Sequence, residues 1–276
     1  MTSREQTLIL GGTGKTGSRV STRLRQVGRW VRLGSRAGTP PFDWADSATW
    51  EPALGGATSA YLSYYPDLAV PGAAETVGAF TRLATDSGVR RVVLLSGRGE
   101  PAAQLAEQLV QAAGAAWTVV RSAWFDQNFS EGPFADPLRT GELALPVEAE
   151  VCEPFVDADD VAEGAAAALL DTKHAGQVYE VTGPRLLTFS DAVAEIASAT
   201  RRDIGFTCVA LTDFSAGQVA DGVPDDVTWL LSYLFSEVFD GRNAHRGDGV
   251  QRALGREPRE FHDYARQAAL TDAWAA

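Results

Sequence analysis

Residues 8–20 read LILGGTGKTGSRV, and this stretch decides the fold of the chain. A short apolar run ends at Leu10, glycines follow at positions 11, 12, 14 and 17, and a helical pattern begins directly after them. A strand, a glycine-rich turn and a helix in this order open a dinucleotide-binding α/β fold, and the amino terminus of the helix offers N–H groups to a phosphate. We therefore expect a pyrophosphate to bind at the turn formed by Gly11, Gly12, Thr13, Gly14, Lys15, Thr16 and Gly17.

Each glycine of the turn has an expected purpose. Gly12 is expected to allow the sharp turn, Gly14 to let the backbone approach the pyrophosphate, and Gly17 to let the helix pack closely on the strand. Gly14, Lys15 and Thr16 also match the end of a nucleotide triphosphatase loop, but that motif needs a glycine where this chain has Ile9. Lys15 is expected at the tip of the turn, either in solvent or near a cofactor phosphate.

The first half of the chain alternates apolar, strand-like runs with longer helical patterns, which indicates a doubly wound parallel sheet of the Rossmann type. Predicted strands cover residues 7–10, 30–34, 57–62, 91–96, 117–121 and 177–181, and predicted helices cover 14–27, 71–87, 100–113 and 161–170. We assign 1–125 and 151–182 to this dinucleotide-binding domain. Residues 126–150 and 183–276 are expected to form a smaller, mostly helical lid that binds substrate at the carboxyl ends of the strands.

The end of the second strand indicates NADP rather than NAD. An NAD enzyme usually places a carboxylate there for the ribose diol, whereas this chain has Gly34, Ser35 and Arg36. The planar guanidinium of Arg36 suits a 2′-phosphate, and Ser35 offers a second donor.

Composition excludes several other partners. A formal charge of −12 with two lysines leaves no basic run for nucleic acid. No charged-then-apolar leader precedes residue 8, and no uncharged apolar run approaches the roughly 20 residues that span a bilayer. The histidines and cysteines have no metal-ligand spacing. We expect both cysteines to be buried thiols and the protein to be cytoplasmic, without a bound metal. The expected partner is a small-molecule substrate, with a homodimer as an option.

These residues together resemble the NmrA-like atypical short-chain dehydrogenases/reductases, and within that group the ergot-alkaloid (festuclavine dehydrogenase-like) reductase branch. The matching segments are GGTGKTG at 11–17, FDWAD at 42–46, WEPAL at 50–54, AYLSYYP at 60–66, GVRRVVLLSG at 88–97, WTVVRSAWFDQNF at 117–129, FVDADDVAEGAAAAL at 155–169 and YEVTGP at 179–184. They extend over most of the chain, but none of them fixes the substrate.

The resemblance implies roles for residues outside the glycine turn. Asp43 and Trp44 are expected beside the adenine, and Leu62, Ser63, Tyr64 and Ser96 beside the nicotinamide ribose. Tyr65, Trp124, Phe125, Asn128 and Phe129 are expected to bind substrate. Tyr64, Ser96 and Asn128 are the candidate catalytic residues. The alternative for each is a structural role: Asp43 in a turn, Ser96 at a strand end, and the aromatic rings in the core.

The catalytic Tyr–Lys pair of ordinary short-chain dehydrogenases is missing. When the chain is aligned on Glu107, Gly99 and Ala103 occupy those two positions, and neither can donate a proton. Three possibilities remain open. An iminium carbon accepts hydride without a proton, an enone or quinone accepts hydride with a proton from Tyr64, Tyr65 or water, and a non-catalytic regulator only senses NADP(H).

Overall fold

The computed structural model describes residues 5–275, in which strands and helices alternate through Val181. The strands are β1 (Gln6–Leu10), β2 (Trp30–Gly34), β3 (Ala57–Leu62), β4 (Arg91–Gly97), β5 (Ala116–Ser122), β6 (Glu142–Leu145), β7 (Cys152–Glu153), β8 (Gln177–Val181), β9 (Leu187–Thr188) and β10 (Gly205–Cys208). The α-helices are α1 (Lys15–Gln26), α2 (Trp50–Leu54), α3 (Ala73–Asp86), α4 (Pro101–Gln111), α5 (Ala135–Thr140), α6 (Ala158–Leu170), α7 (Phe189–Thr200), α8 (Leu211–Ala220), α9 (Asp225–Tyr233), α10 (Gly249–Leu254) and α11 (Phe261–Ala269).

The main sheet has the strand order β2-β1-β3-β4-β5-β8, and all its neighbours are parallel. The chain leaves β1 toward β2 on one side and returns to β3 on the other, so the strand order reverses between β1 and β3. Open α/β sheets bind ligands at such a point, outside the carboxyl ends of the strands. The predicted Rossmann fold is confirmed, and the glycine turn lies at the expected edge.

Alternating residues of the central strands pack against helices on one face of the sheet. Ala60, Leu62, Val92 and Leu94 are fully buried in a cluster that includes apolar side chains of α2, α3 and α4. Side chains alternate between the two faces of a strand, so a continuous apolar run such as VVLL fills both faces of a covered sheet. The carboxyl ends of β3 and β4 are therefore held side by side by strand pairing and by this shared buried cluster.

The chain divides into two compact units, which differ from the predicted domains at their borders. In the described residues, unit 1 comprises 5–122, Ala158–Val181 and Asp248–Arg256, and unit 2 comprises the remaining residues through 275. Residues 123–125, 151–157 and 182 therefore belong to unit 2. Residues 248–256 belong to unit 1, because α10 packs on α6 and β8 and a Cβ on Gly249 would lie 2.4 Å from the Glu180 carbonyl oxygen.

Unit 2 is organised around an aromatic cluster that we define as Phe129, Phe134, Phe155, Phe189, Phe235, Phe239 and Phe261, all of them buried. Helix α7 begins with a reciprocal capping box between Thr188 and Asp191. Two small sheets accompany the helices, with β10 parallel to β6 and β7 antiparallel to β9. The prediction of a mostly helical lid missed β6 and β9.

Three local expectations need correction. Helix α3 begins at Ala73 rather than at Pro71, because Gly72 adopts a left-handed conformation with φ of 83°. Helix α6 begins at Ala158 rather than at residue 161, with Asp159 and Asp160 inside its first turn. The thiols are not buried as expected, since Cys152 is half-buried and Cys208 is exposed on the short strand β10.

In the described part of the chain, no helix has both the length and the apolar character needed to cross a bilayer.

Candidate functional site

The glycine turn connects β1 to α1 at the point where the strand order reverses. Gly11 has a φ of 65°, and its carbonyl oxygen accepts a hydrogen bond of 2.9 Å from the Gly14 N–H. The left-handed residue of the turn is therefore Gly11, and the assignment of the sharp turn to Gly12 was wrong. Gly12 is required by packing instead, because a Cβ there would lie 2.8 Å from Cδ2 of Leu33 and 3.0 Å from the Ile9 carbonyl oxygen.

The other two glycines differ in what surrounds them. A Cβ on Gly17 would lie 2.2 Å from the Gly11 carbonyl oxygen, so the fold itself requires glycine there. A Cβ on Gly14 would meet only that oxygen, at 3.3 Å, and Gly14 and Thr13 are exposed at the N-cap of α1. The exposed backbone at Gly14 is a cradle that a dinucleotide pyrophosphate fits, and a side chain would fill it.

Thr16 and Lys15 also lie in this turn. Thr16 is buried, and its Oγ1 accepts a hydrogen bond of 2.9 Å from the Tyr61 hydroxyl. Burial raises the pKa of Tyr61 above the ordinary tyrosine value, which keeps this phenol protonated as the donor. The Thr16 side chain therefore ties α1 to β3, and the half-buried Lys15 remains a candidate for contact with a phosphate.

Ser35 and Arg36 follow β2 at the same edge of the sheet. The Ser35 carbonyl oxygen accepts hydrogen bonds from Gly38 and Phe42, each of 2.9 Å, so the loop turns back toward the strand ends. The Arg36 side chain is exposed, and within residues 5–275 it has no ion pair. An exposed guanidinium at this position has the chemistry expected of a 2′-phosphate ligand.

Asp43, Trp44, Ser63 and Tyr64 converge beside this loop. The Trp44 indole donates to the Ser63 carbonyl oxygen at 3.2 Å, and its ring lies 5.1 Å from that of Tyr64. Asp43 Oδ1 accepts from the Ala45 N–H at 3.0 Å, which is the turn role considered as its alternative. Leu62 is fully buried, so only its backbone is available to a ligand.

Tyr64 and Tyr65 are the phenols nearest to the end of β3. Tyr64 is half-buried, and burial raises its pKa above the ordinary tyrosine value. Tyr65 is 71% exposed. Tyr64 therefore keeps its proton at neutral pH, and both phenols remain candidate donors.

Ser96 is already engaged in a buried polar network. Its hydroxyl donates to Glu107 Oε1 at 2.6 Å, and Arg121 makes two hydrogen bonds to the same carboxylate, of 2.9 and 2.6 Å. Arg121 also binds Glu180 at 2.8 Å, and these carboxylates raise its pKa. The network joins β4, α4, β5 and β8, which is the structural role considered for Ser96. Sequence reasoning identified Glu107 but not its ion pair with Arg121.

The two positions that the sequence alignment assigned to the Tyr–Lys pair lie on the loop after β4 and in α4. Gly99 has a φ of 73°, a conformation that tyrosine rarely adopts, and Ala103 is fully buried. Their environments are therefore unsuited to an exposed tyrosine and lysine.

The predicted substrate residues of unit 2 fall into two groups. Trp124, Phe125 and Asn128 are half-buried, with the Trp124 ring stacked on Phe134 at 6.1 Å. Phe129 is fully buried in the aromatic cluster, and its carbonyl oxygen accepts a hydrogen bond of 2.7 Å from the Trp274 indole. The Phe129 side chain supports the core and offers no surface to a substrate, so its assignment needs correction. The roles of the other three stay predictions.

Comparison with known proteins gave full-length relatives, although no family model matches. The chain is 29% identical over 276 residues to an uncharacterised oxidoreductase, YesF, of Bacillus subtilis (strain 168), covering 96% of each chain. It is 28% identical over 274 residues to an agroclavine dehydrogenase of Claviceps fusiformis, covering 93% of this chain and 95% of the relative.

Solved structures show the same fold. The NADPH-dependent quinone oxidoreductase QOR2 of Escherichia coli, solved with NADPH, has a TM-score of 0.79 at 19% identity, covering 95% of this chain and 99% of that one. NmrA, a negative transcriptional regulator solved with NADP, has a TM-score of 0.74 at 16% identity, covering 98% and 97%. The resemblance to NmrA-like atypical short-chain dehydrogenases/reductases is confirmed.

Proposed function

We propose, from its resemblance to NmrA-like atypical short-chain dehydrogenases/reductases, that this protein is an NADPH-dependent oxidoreductase. It transfers hydride to a small hydrophobic or cyclic substrate of the iminium, enone or quinone type, without the usual Tyr–Lys pair. The observation that carries the proposal is the exposed backbone of Gly14 at the amino end of α1, where a side chain would fill the space that a pyrophosphate needs.

Residues of unit 1 would hold the cofactor. The backbone of Gly11 to Gly17 binds the pyrophosphate, Ser35 and Arg36 bind the 2′-phosphate, and Asp43 with Trp44 borders the adenine. Leu62, Ser63, Tyr64 and Ser96 border the nicotinamide ribose, with Leu62 taking part through its backbone. When bound, NADPH supplies the hydride, and the protein's part is to orient it and to exclude water.

The class of substrate depends on which side chains can donate a proton. Gly99 and Ala103 offer none, and the Ser96 hydroxyl donates to Glu107. A cationic iminium needs no proton when hydride arrives, whereas an enone or quinone needs one on its oxygen. The names of the relatives favour a small-molecule reductase: an oxidoreductase, a clavine dehydrogenase and a quinone oxidoreductase.

NADPH consumption tests this proposal. Purified protein is titrated with NADPH and NADH and then mixed with a cyclic iminium salt, an enone or 1,4-naphthoquinone while NADPH absorbance is followed. We expect tight NADPH binding and consumption with at least one class. Tight binding without consumption by any class would favour the second candidate, a non-catalytic NADP(H) sensor, which the occupied hydroxyl of Ser96 and the fold shared with NmrA support.

A small-molecule substrate is part of this proposal. The cytoplasmic location and the homodimer remain predictions from the sequence.

A further inference from the structure

The loop after β4 carries a buried carboxyl group directly beside the position of the missing tyrosine. Glu100 follows Gly99, lies at the N-cap of α4, and is only 6% exposed. Its carboxyl group occupies the space that a side chain at Gly97 would need, since a Cβ there would lie 2.0 Å from Glu100 Oε1. Gly97 thus makes room for an acid at the carboxyl end of β4.

A second carboxyl group faces Glu100 from the neighbouring loop. Asp67 lies on the loop after β3, is half-buried, and accepts a hydrogen bond of 2.8 Å from the Ala69 N–H. The two carboxyl groups are close enough for each to shift the pKa of the other. Such a pair holds a proton more readily than two separate carboxylates, because two like charges repel each other.

The surroundings favour the protonated form on Glu100. Burial raises the pKa of both carboxyl groups, and the negative charge of Asp67 raises that of Glu100 further. Among the neighbouring cations, Arg98 on the same loop faces Glu180 at 3.8 Å, and Arg121 is paired with Glu107 and Glu180. The first turn of α4 has no acidic residue, and Glu75 in the first turn of α3 is exposed.

One oxygen of this pair is buried without a donor in the described part of the chain. Within residues 5–275, Glu100 Oε2 is buried and has no hydrogen-bond partner. A buried polar atom left without a partner costs on the order of 1 to 3 kcal/mol, so a ligand that supplies one is favoured.

We propose that the Asp67–Glu100 pair donates the proton of the reduction, in place of the missing tyrosine. This inference rests on the proposed function and selects its substrate class: compounds with a carbonyl oxygen that must be protonated, such as quinones and enones, rather than iminium ions. As the hydride of NADPH forms a C–H bond and leaves NADP⁺, the O–H bond of Glu100 breaks and the proton forms an O–H bond on the substrate. The half-buried Asp67 gives the pair access to solvent, from which it regains a proton.

Single-turnover reduction of 1,4-naphthoquinone tests the inference. With saturating NADPH from about pH 5 to pH 9, the wild-type rate should fall as the pH rises through the pKa of the pair. Glu100→Gln should lower the rate at neutral pH by about 100-fold and remove that fall, because general acid catalysis contributes this much. Asp67→Asn should move the fall to a different pH, which a merely structural residue would not do.

Two matched variants separate proton donation from structure. Gly97→Ala keeps the acid but displaces its carboxyl group, and should lower the rate nearly as much as Glu100→Gln. Glu75→Gln removes an exposed carboxylate from α3 and should change nothing. All four variants should bind NADPH within about twofold of the wild type, since none removes a cofactor contact.

An infrared measurement tests the shared proton without turnover. At neutral pH the wild type should show a protonated carboxyl band that Glu100→Gln lacks, and absence of this band in the wild type overturns the inference. Quinone turnover that Glu100→Gln leaves unchanged overturns the inference alone. A wild-type protein that binds NADPH but consumes none with any substrate class overturns the proposed function as well, whatever the infrared result.

Discussion

The choice between NADPH and NADH depends on one exposed residue. Arg36→Ala should weaken NADPH binding by about 1.5 to 3 kcal/mol, the contribution of a hydrogen bond to a charged group, and leave NADH binding unchanged. Fluorescence titration of both cofactors measures the difference. Arg90→Ala is the control, because Arg90 is 73% exposed and lies at the opposite end of β4. Equal loss for both cofactors, or none for NADPH, would remove Arg36 from the 2′-phosphate site.

Substitutions of Gly14 and of Gly17 should have different effects. Gly14→Val should abolish NADPH binding in a folded protein, because an added Cβ meets only the Gly11 carbonyl oxygen while the side chain fills the space that the pyrophosphate needs. Gly17→Ala should instead destabilise the fold by about 1 to 3 kcal/mol, because its methyl group would overlap that oxygen. Circular dichroism, chemical unfolding and cofactor titration distinguish the two. A folded Gly14→Val protein that retains NADPH affinity would show that the turn is not the phosphate site.

Residue-level prediction succeeded where the signal is local. The glycine turn is contained in seven consecutive residues, so its pattern was visible in the sequence. Asp67 and Glu100 are 33 positions apart, and Arg121 meets Glu180 across 59, so only the folded sheet brings them together. The sharp turn was assigned to Gly12 instead of Gly11 because the glycine pattern does not state which residue has the positive φ.

At the scale of elements, strands were easier to place than short helices. β2, β3 and β8 have the predicted bounds, since each is a β-branched or apolar run ended by a glycine or polar residue. The two-residue strands β7 and β9 are too short for a periodic pattern, and their pairing exists only through tertiary contact. Helix α10 begins 68 positions after the end of β8, so its packing against that strand could not be predicted from local sequence.

Folding is coupled to the uptake of a proton by the Asp67–Glu100 pair, which lies on the loops after β3 and β4. The pKa of Glu100 lies well above its ordinary 4.5 in the folded protein, so folded molecules hold a proton that unfolded chains release. The contribution of Glu100 to the free energy of unfolding is therefore fully present below about pH 4.5. It is lost as the pH rises through the folded pKa. Glu100→Gln should show a smaller fall than the wild type in urea unfolding over this window. Parallel curves for the two proteins would contradict the shared proton, and Glu75→Gln should follow the wild type.

At the scale of the whole molecule, the predicted cofactor residues and the aromatic cluster belong to different units. Gly11 to Ser96 lie in unit 1, whereas the cluster from Phe129 to Phe261 lies in unit 2. The sequence predicted such a division, with its first boundary after residue 125. It could not assign residues 248–256 to unit 1, because that assignment depends on the packing of α10 against α6 and β8.

Because every predicted cofactor residue lies in unit 1, NADPH should slow amide hydrogen exchange there first. A bound ligand stabilises the folded state by about 2.7 kcal/mol at 100 times its dissociation constant, and segments that form the site gain the most protection. We expect slower exchange in the glycine turn and in residues 62–64, and little change in α7. Mass spectrometry with and without NADPH measures this, and Gly14→Val is the control that should show no protection. Protection concentrated in α7, with the glycine turn unchanged, would place the cofactor outside the predicted site and remove the premise on which the hydride-transfer proposal depends.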